Sequence, residues 1–262
     1  MRILIAIQSC GHDPYLKNSI YMVKSYKHII NAYDLPIRCF YFKGNGTDNS
    51  YFDGDEASIA YNDRMVSLKQ FNMMHLVETA ISDFDVIVQT NSSTVLNILN
   101  LYKFLTEEYD ENCLWCGGIV EHWTYNVMYP NGHIYIYSKK IFDILYKNWQ
   151  YYSSEIENRY DISINDSNTN EDELMWVGIA EDFVMGYILS KNHIDMKKIK
   201  NILNMRSTTY DNIDYMKPNI YDYMAIYAKT HRTNIKARQE IEPNIIEFLL
   251  LLFERHACCL KI

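Results

Sequence analysis

The sequence predicts an α/β fold in which helices flank a central sheet. Two short apolar runs, residues 3–7 and 86–88, have the uninterrupted, β-branched character of strands buried on both faces. Each run ends in polar residues, and a pattern with helical spacing follows. No internal repeat or long linker divides the 262 residues. We therefore expect one domain spanning 1–262.

The first half of the chain alternates strands with helices. Residues 3–7 predict the first strand, and Pro36 marks the entry to the second. The other elements predicted here are a helix to about residue 32, a strand at 37–42, a loop at 44–56, a helix at 63–81, a strand at 86–88 and a helix at 95–108. This alternation is typical of an open sheet with helical crossovers.

The second half is less regular. Residues 132–137 alternate like a strand, and Ser138 is expected to cap the helix that follows. Pro243 is expected to start a last helix, which ends near residue 256. The remaining predictions are a strand at 114–120, a helix at 139–148, a surface excursion or lid at 155–173, an apolar segment at 174–179, a helix at 181–189 and an irregular region at 206–223.

The bulk composition excludes several classes of protein. A net charge of -8 disfavours a nucleic-acid partner, and 48% hydrophobic residues indicate a globular protein with a substantial core. No stretch approaches the roughly 20 apolar residues of a membrane span, and no secretory signal is visible. We therefore expect a cytoplasmic protein whose 6 cysteines are reduced. The pair Cys113 and Cys116 lacks a second such pair, which disfavours zinc or redox chemistry.

Several standard signatures are missing. The chain has no nucleophile elbow, no phosphate-binding loop and no dinucleotide-binding glycine pattern. Two acidic pairs, Asp53 with Asp55 and Asp83 with Asp85, are spaced like metal ligands. The first pair lies in a loop and the second precedes its strand, at the wrong end of the sheet for catalysis. We interpret both pairs as solvated carboxylates.

Polar residues follow the ends of two predicted strands, where ligands bind in open α/β sheets. They are Gln8, Ser9, Thr90, Asn91, Ser92 and Ser93. Two carboxylates, Glu181 and Asp182, open a later helix. Acids are favoured in a first helical turn by the helix dipole alone. A functional interpretation requires one of them to face the same cleft as residues 90–93.

Four short motifs in order carry a family resemblance. They are YND with SLK (61–63 and 67–69), DVIVQTNSS (85–93) with Val95 and Asn97, YPNGHIYIYS (129–138) and EDFVMG (181–186), with a weaker fifth, AKTH (228–231). In this order they resemble the inverting galactosyltransferase/Fringe family of nucleotide-sugar-dependent glycosyltransferases. The resemblance covers roughly residues 37–235.

The resemblance implies a fold and an activity. The fold would be GT-A, a Rossmann-like single domain with a mixed central sheet, a nucleotide-sugar-binding half at about 1–110 and an acceptor-binding half at about 111–262. The activity would be inverting transfer of a hexose or pentose from a UDP- or GDP-sugar to a glycan acceptor. No transmembrane segment is expected, and the protein would be a monomer or homodimer of viral or bacterial origin, in the host cytoplasm if viral.

The resemblance also assigns site residues. The family's general base maps to Asp182, and a carboxylate within reach of the acceptor hydroxyl is suited to that role. The donor-binding candidates are Gln8, Ser9, Lys69, Thr90, Asn91, Ser92, Ser93 and His231. The acceptor-binding candidates are Glu181, Trp115, Tyr129 and Gly132. For Trp115, packing in the core is an equally good interpretation.

One departure from the family affects the chemistry. Asn91, Ser92 and Ser93 stand where the family has an acidic triplet that holds Mg2+ or Mn2+. Neutral oxygens bind such cations more weakly than carboxylates. We expect first a metal-independent transferase, in which Lys69, His231 and Arg232 stabilise the diphosphate. The alternatives are a Mn2+ or Mg2+ ion held weakly by Asn91 and His231, a non-catalytic carbohydrate- or nucleotide-binding module, and a retaining glycosyltransferase of similar fold.

Overall fold

The computed structural model describes residues 1–9, 14–44, 49–60, 66–122, 126–130, 133–160, 181–204, 220–228 and 235–260. These residues form six α-helices and thirteen strands. The helices are α1 (Tyr15–Ala32), α2 (Val66–Ala80), α3 (Ile98–Glu107), α4 (Lys139–Tyr160), α5 (Glu181–Lys191) and α6 (Ile235–Leu260). The strands are β1 (Ile3–Gln8), β2 (Ile37–Gly44), β3 (Tyr51–Asp53), β4 (Glu56–Ile59), β5 (Val86–Asn91), β6 (Thr94–Leu96), β7 (Leu114–Cys116), β8 (Ile119–His122), β9 (Val127–Pro130), β10 (Ile134–Ser138), β11 (Met196–Lys198), β12 (Ile202–Asn204) and β13 (Ala225–Tyr227).

Eight of these strands form a mixed central sheet in the order β11-β7-β10-β5-β1-β2-β4-β3. β1 is parallel to β2 on one side and to β5 on the other, and β10 is antiparallel to β5. In this sheet, β2, β3 and β4 lie on one side of β1, and β5 and the later strands lie on its other side. Such a switch point opens a crevice at the carboxyl ends of the strands, where ligands bind in this class of fold.

The side chains of the sheet alternate between two helical layers. Ile5 and Val88 face a core shared with α1, α3 and α6. Leu4 and Ile87 face a second core shared with α2, α4 and α5. A strand buried on both faces must be apolar throughout, which explains the uninterrupted runs in β1 and β5. The fold class expected from the sequence, a mixed sheet flanked by helices, is confirmed.

The predicted helix start at residue 95 is wrong. Residues 94–96 form β6, which pairs with β13, and the helix begins only at Ile98. Asn97 caps α3 by accepting a hydrogen bond from the backbone N–H of Asn100 at 3.3 Å. The β-branched residues Thr94 and Val95 therefore pair in a sheet because a distant strand is available there.

The predicted start of the last helix at Pro243 is also wrong, because Pro243 lies inside α6. A proline in a helix interior removes a backbone hydrogen bond and costs about 3 kcal/mol. Ile245, Ile246 and Leu249 continue the buried face beyond it. Their burial outweighs the local cost, so the helix passes through the proline.

The boundaries of other elements differ from the predictions. The expected loop at 44–56 contains β3 and the start of β4, joined through Gly54 at a φ of 60°. The expected strand at 114–120 is divided into β7 and β8. α4 continues to Tyr160, so residues 155–160 of the expected lid are helical. The rest of that lid, the apolar segment at 174–179 and residues 206–219 lie outside the described residues. Ser138 caps α4 as expected, since its hydroxyl accepts from the Ile141 N–H at 3.3 Å.

Asp53 and Asp83 are exposed and Asp55 and Asp85 are half-buried, so the acidic pairs are not simply solvated. Asp83 and Asp85 both form ion pairs with Arg2. Asp55 forms an ion pair with Lys27. These contacts join the ends of β1 and β5 and hold a loop against α1, which is a structural role.

Candidate functional site

The carboxyl ends of β1 and β5 lie side by side. Gln8, the last residue of β1, is in register with Asn91, the last residue of β5. The backbone N–H of Ser92 then donates to the carbonyl of Gln8 at 2.9 Å. The polar residues that follow the two strands are therefore brought to one edge of the sheet, as their positions in the sequence predict.

The loop after β5 is closed by its own hydrogen bonds. The side-chain oxygen of Asn91 accepts from the Ser93 N–H and from the Thr94 hydroxyl, each at 3.0 Å. An amide oxygen has two lone pairs, and both are engaged here. A metal bound by this oxygen would have to compete with these two hydrogen bonds, and the weakly held Mn2+ or Mg2+ stays a prediction. His231, the expected partner of Asn91, lies outside the described residues, which themselves include no cluster of three or more His, Cys, Asp or Glu side chains suited to a metal.

One side of this loop is attached to α6. The Ser93 hydroxyl donates to the carboxylate of Glu242, whose side chain is completely buried. The Ser93 carbonyl accepts from the Ala228 N–H at 2.8 Å. Sequence reasoning missed Glu242, because nothing local distinguishes it from other helical glutamates. A buried carboxylate requires hydrogen-bond partners, so this contact fixes the position of the loop.

A hydrogen bond and a stacked ring pair order the adjoining edge. The Thr90 hydroxyl donates to the carbonyl of His133 at 2.9 Å. The buried His133 ring stacks on Tyr227 with its centroid 4.1 Å away. The sequence contains His133 within a strand-like pattern, but its stacking partner comes from β13. These contacts connect β5, β10 and β13 beside the loop.

The other side of the edge carries opposite charges, on a buried lysine and a half-buried glutamate. Lys69 of α2 is only 2% exposed, and its Nζ donates to the Ser9 carbonyl at 3.1 Å. The Gln8 side chain forms a hydrogen bond with the Glu181 carboxylate, and the charge of Lys69 lies nearby. Burial raises the pKa of Glu181, while Lys69 and Gln8 oppose that increase. Gln8 thus contacts both the loop after β5 and the start of α5.

Asp182, the second residue of α5, lies within electrostatic range of two tyrosines. Burial, followed by the negative charge of Asp182, raises the pKa of both Tyr129 and Tyr135. The Tyr129 ring lies 6.0 Å from that of Phe183. The charge of Asp182 therefore acts on one tyrosine of β9 and one tyrosine of β10.

Close packing holds α5 in this position. A Cβ added at Gly186 would lie 2.5 Å from the Met128 carbonyl oxygen and 2.6 Å from the Tyr129 Cα. The backbones of α5 and β9 therefore touch, and only glycine permits that approach. Farther along the helix, the Tyr187 hydroxyl donates to Glu155 at 2.6 Å. Both contacts set where Glu181 and Asp182 stand.

The structure does not bring every candidate to this edge. The Trp115 ring packs on Phe104 with centroids 5.1 Å apart, and its Nε1 donates to the Asp110 carbonyl at 3.2 Å. It lies in the core on the α3 side of the sheet, away from Glu181. Gly132, His231 and Arg232 lie outside the described residues. The acceptor-binding role of Trp115 stays a prediction.

No protein-family model matches the sequence, and no curated protein sequence matches it. No helix among the described residues combines the length and apolar character that crossing a bilayer requires.

Solved structures do resemble the chain. A glycosyltransferase involved in glycosylation of the major capsid of PBCV-1 is 8% identical, with 95% of this chain and 100% of that chain covered at a TM-score of 0.51. The galactosyltransferase LgtC, solved with donor and acceptor sugar analogues, is 12% identical over 96% of each chain at a TM-score of 0.49. The catalytic domain of Drosophila β1,4-galactosyltransferase 7, solved with xylobiose, is 15% identical over 77% of this chain and 66% of that one at 0.41.

The first likeness extends over nearly the whole of both chains. At 8% identity it concerns backbone arrangement and not side-chain chemistry. The specific Fringe-like resemblance stays a prediction. The chain shares the mixed α/β fold of a glycosyltransferase of known structure.

Proposed function

We propose that this protein is an inverting glycosyltransferase that moves a sugar from a UDP- or GDP-sugar to an acceptor hydroxyl of a glycan. The observation that carries the proposal is the double link through Gln8. Its carbonyl binds the loop after β5 and its side chain binds the first residue of α5. Two strand ends and two carboxylates therefore share one edge at the switch point of the sheet. The fold shared with the PBCV-1 glycosyltransferase supports this class of reaction.

Asp182 is the proposed general base. Its carboxylate takes the proton of the acceptor hydroxyl as that oxygen attacks the anomeric carbon of the donor. The bond from the anomeric carbon to the diphosphate oxygen breaks, and its electron pair leaves with the nucleoside diphosphate. Attack from the opposite side inverts the anomeric configuration. Glu181 is hydrogen-bonded to Gln8 and so fixes the start of α5, where Asp182 lies.

Positive charge is needed where the diphosphate leaves. We propose that transfer does not depend on a metal, and that Lys69 supplies part of this charge. Lys69 is buried behind Ser9, where a charge acts through a medium of lower dielectric constant than water. Asn91, which would hold a metal in the alternative, has its oxygen engaged within its own loop.

A non-catalytic carbohydrate- or nucleotide-binding module is the second candidate. The neutral loop at residues 91–93 favours it, because its polar groups are engaged with the protein itself. Such a loop can bind a ligand without stabilising a developing charge. This candidate predicts nucleotide-diphosphate binding without turnover.

A donor panel separates these candidates. UDP- and GDP-sugars are incubated with protein and glycan acceptors, with EDTA and with Mn2+, and release of nucleoside diphosphate is measured. We expect turnover in EDTA, lost by about a hundredfold or more in Asp182→Asn. Asp195→Asn, which changes an exposed acid near β11, is the control and should keep full activity.

Two results would reject the proposal. Binding of nucleoside diphosphate in calorimetry with no turnover of any donor indicates the binding module. Retention of the donor's anomeric configuration in the product, measured by NMR, indicates a retaining enzyme and removes the role given to Asp182.

A further inference from the structure

We propose that Tyr135 positions the carboxylate of Asp182 by donating a hydrogen bond to it when the acceptor is bound. This inference rests on the proposed function, because it assigns Asp182 the role of base. Tyr135 is a positioning residue and keeps its own proton throughout the reaction.

The Tyr135 hydroxyl is a buried hydrogen-bond donor that has no acceptor among the described residues. The residue is 3% exposed, and within the described part of the chain its hydroxyl makes no hydrogen bond. Leaving such a group unsatisfied costs about 1–3 kcal/mol. Native structures retain few of these groups, and each calls for an explanation such as a catalytic role or a bound molecule.

The neighbouring tyrosine of the same strand provides a direct contrast. Tyr137 lies on the same face of β10, two residues farther from the edge, and is equally buried. Its hydroxyl donates to the Gln89 side chain at 3.0 Å. Of these two tyrosines, the one nearer the edge is the one whose hydroxyl has no partner among the described residues.

Tyr135 lies on the face of the sheet that packs against α5. Tyr135 is in register with Gln89 on β5 and with Cys116 on β7. Phe183 and Val184 of α5 belong to the same buried core as Tyr135. The start of α5 is held over this face because the Glu181 carboxylate is hydrogen-bonded to the Gln8 side chain at the end of β1.

The electrostatics agree with this geometry. Burial is the largest cause that raises the pKa of the Tyr135 phenol, and the Asp182 charge is the next, ahead of Glu181. The phenol is therefore protonated at neutral pH and available as a donor. A hydrogen bond to a carboxylate favours its ionised form and so lowers the pKa of the acid.

The chemical consequence concerns the base. A hydrogen bond from Tyr135 to one oxygen of Asp182 leaves the other oxygen to take the acceptor's proton. It also keeps the carboxylate ionised at neutral pH, as a general base requires. Among the described residues, the other titratable groups near the helix start or near Tyr135 are Glu181, Tyr129 of β9, Tyr137 of β10, Cys116 of β7 and Lys69 of α2.

The test compares Tyr135→Phe with Tyr137→Phe, which removes a hydroxyl from the same face of the same strand. The pKa of the Asp182 carboxyl is measured by 13C NMR of aspartate-labelled protein and assigned by the signal missing in Asp182→Asn. Transfer rates are measured across pH for the same proteins. We expect Tyr135→Phe to lower kcat about tenfold, the effect of one hydrogen bond to a charged group. The apparent pKa of the acid limb of its rate–pH profile should rise by about one pH unit. The donor KM should change little.

The outcomes separate this inference from the proposed function. Suppose that wild type is active and that Tyr135→Phe has the same apparent pKa in the acid limb and the same Asp182 titration with acceptor bound. The positioning role of Tyr135 is then wrong, and the proposed transferase function stands. The same rejection follows if Tyr137→Phe moves the limb equally, since the effect is then one of packing. If wild type transfers no sugar, the proposed function fails, and the role of Tyr135 as the base's positioning residue fails with it.

Discussion

The Ser93 hydroxyl donates a hydrogen bond to the buried carboxylate of Glu242, which joins the loop after β5 to α6. The loop after β5 is thus held against a carboxylate that lies 149 residues later in the chain. Because a charged acceptor makes a strong hydrogen bond, this contact is expected to determine the loop's position.

Removing the Ser93 hydroxyl tests that contact. We expect Ser93→Ala to lower the free energy of unfolding by about 2 kcal/mol, because a buried carboxylate loses a donor. Urea denaturation measures the change. Ser92→Ala is the matched control, since the described structure shows no hydrogen bond from the Ser92 hydroxyl. Equal stability of the two variants would mean that Ser93 contributes nothing beyond its neighbour.

Adding a methyl group at Gly186 tests the contact between α5 and β9. The new Cβ would meet the backbone of Met128 and Tyr129, which cannot rotate away. We expect Gly186→Ala to lower the free energy of unfolding by about 1–3 kcal/mol, as overpacking does. Ser190→Ala, at the exposed end of the same helix, should change it little. The proposed transfer activity should fall in Gly186→Ala even where it is folded, and unchanged stability and activity would refute the close approach.

Replacing Lys69 tests the buried charges. In Lys69→Met the Ser9 carbonyl loses its donor and Glu181 loses a nearby positive charge. We expect Lys69→Met to lower the free energy of unfolding by about 2 kcal/mol at neutral pH. Lys147→Met, at an exposed site on α4, is the control and should change stability little.

The pH dependence of that loss follows from the Glu181 pKa. Folding raises this pKa above its ordinary 4.5, so folding favours the protonated form. The contribution of Glu181 to the free energy of unfolding is fully present below pH 4.5. It decreases as the pH rises through the pKa of Glu181 in the folded protein. Removing Lys69 raises the folded pKa further, so the destabilisation should grow between pH 4.5 and neutrality. Denaturation across that range measures it, and a constant difference would contradict the role of Lys69.

Asn97 tests the corrected start of α3. Its side-chain oxygen accepts from the Asn100 N–H, and its amide donates to the Tyr221 carbonyl at 3.2 Å. We expect Asn97→Ala to cost about 1 kcal/mol or more, because the cap is lost. Asn97→Asp keeps the capping oxygen but places a second acceptor opposite the Tyr221 carbonyl, so thermal unfolding should place it below wild type. An alanine variant as stable as wild type would show that the cap contributes nothing.

The sequence predicts the parts of the fold that depend on neighbouring residues. β1 and β5 are recognisable from their apolar runs, and α5 begins at Glu181 as expected. Periodicity identifies these elements because burial on one or both faces imposes it on every residue in the element. The polar ends of β1 and β5 follow from the same pattern.

Other features depend on distant partners and are missed for that reason. β6 forms because β13, far along the chain, pairs with it, and α6 continues through Pro243 because Ile245 and Ile246 are buried. Glu242 becomes part of the site only by contact with Ser93, 149 residues earlier. No local pattern encodes such contacts, since tertiary packing overrides propensity.

The amino-acid sequence alone determined that polar residues, Gln8 and Asn91 among them, follow two apolar strand runs and that Glu181 and Asp182 open a helix, because hydrophobic periodicity and helix-end preferences are local. Only the tertiary structure decided that Gln8 contacts both the loop after β5 and Glu181, that Glu242 holds Ser93, and that the Tyr135 hydroxyl is buried near Asp182. Hydrogen bonds and charges act across space, and the order of strands in the sheet sets which groups come within their reach.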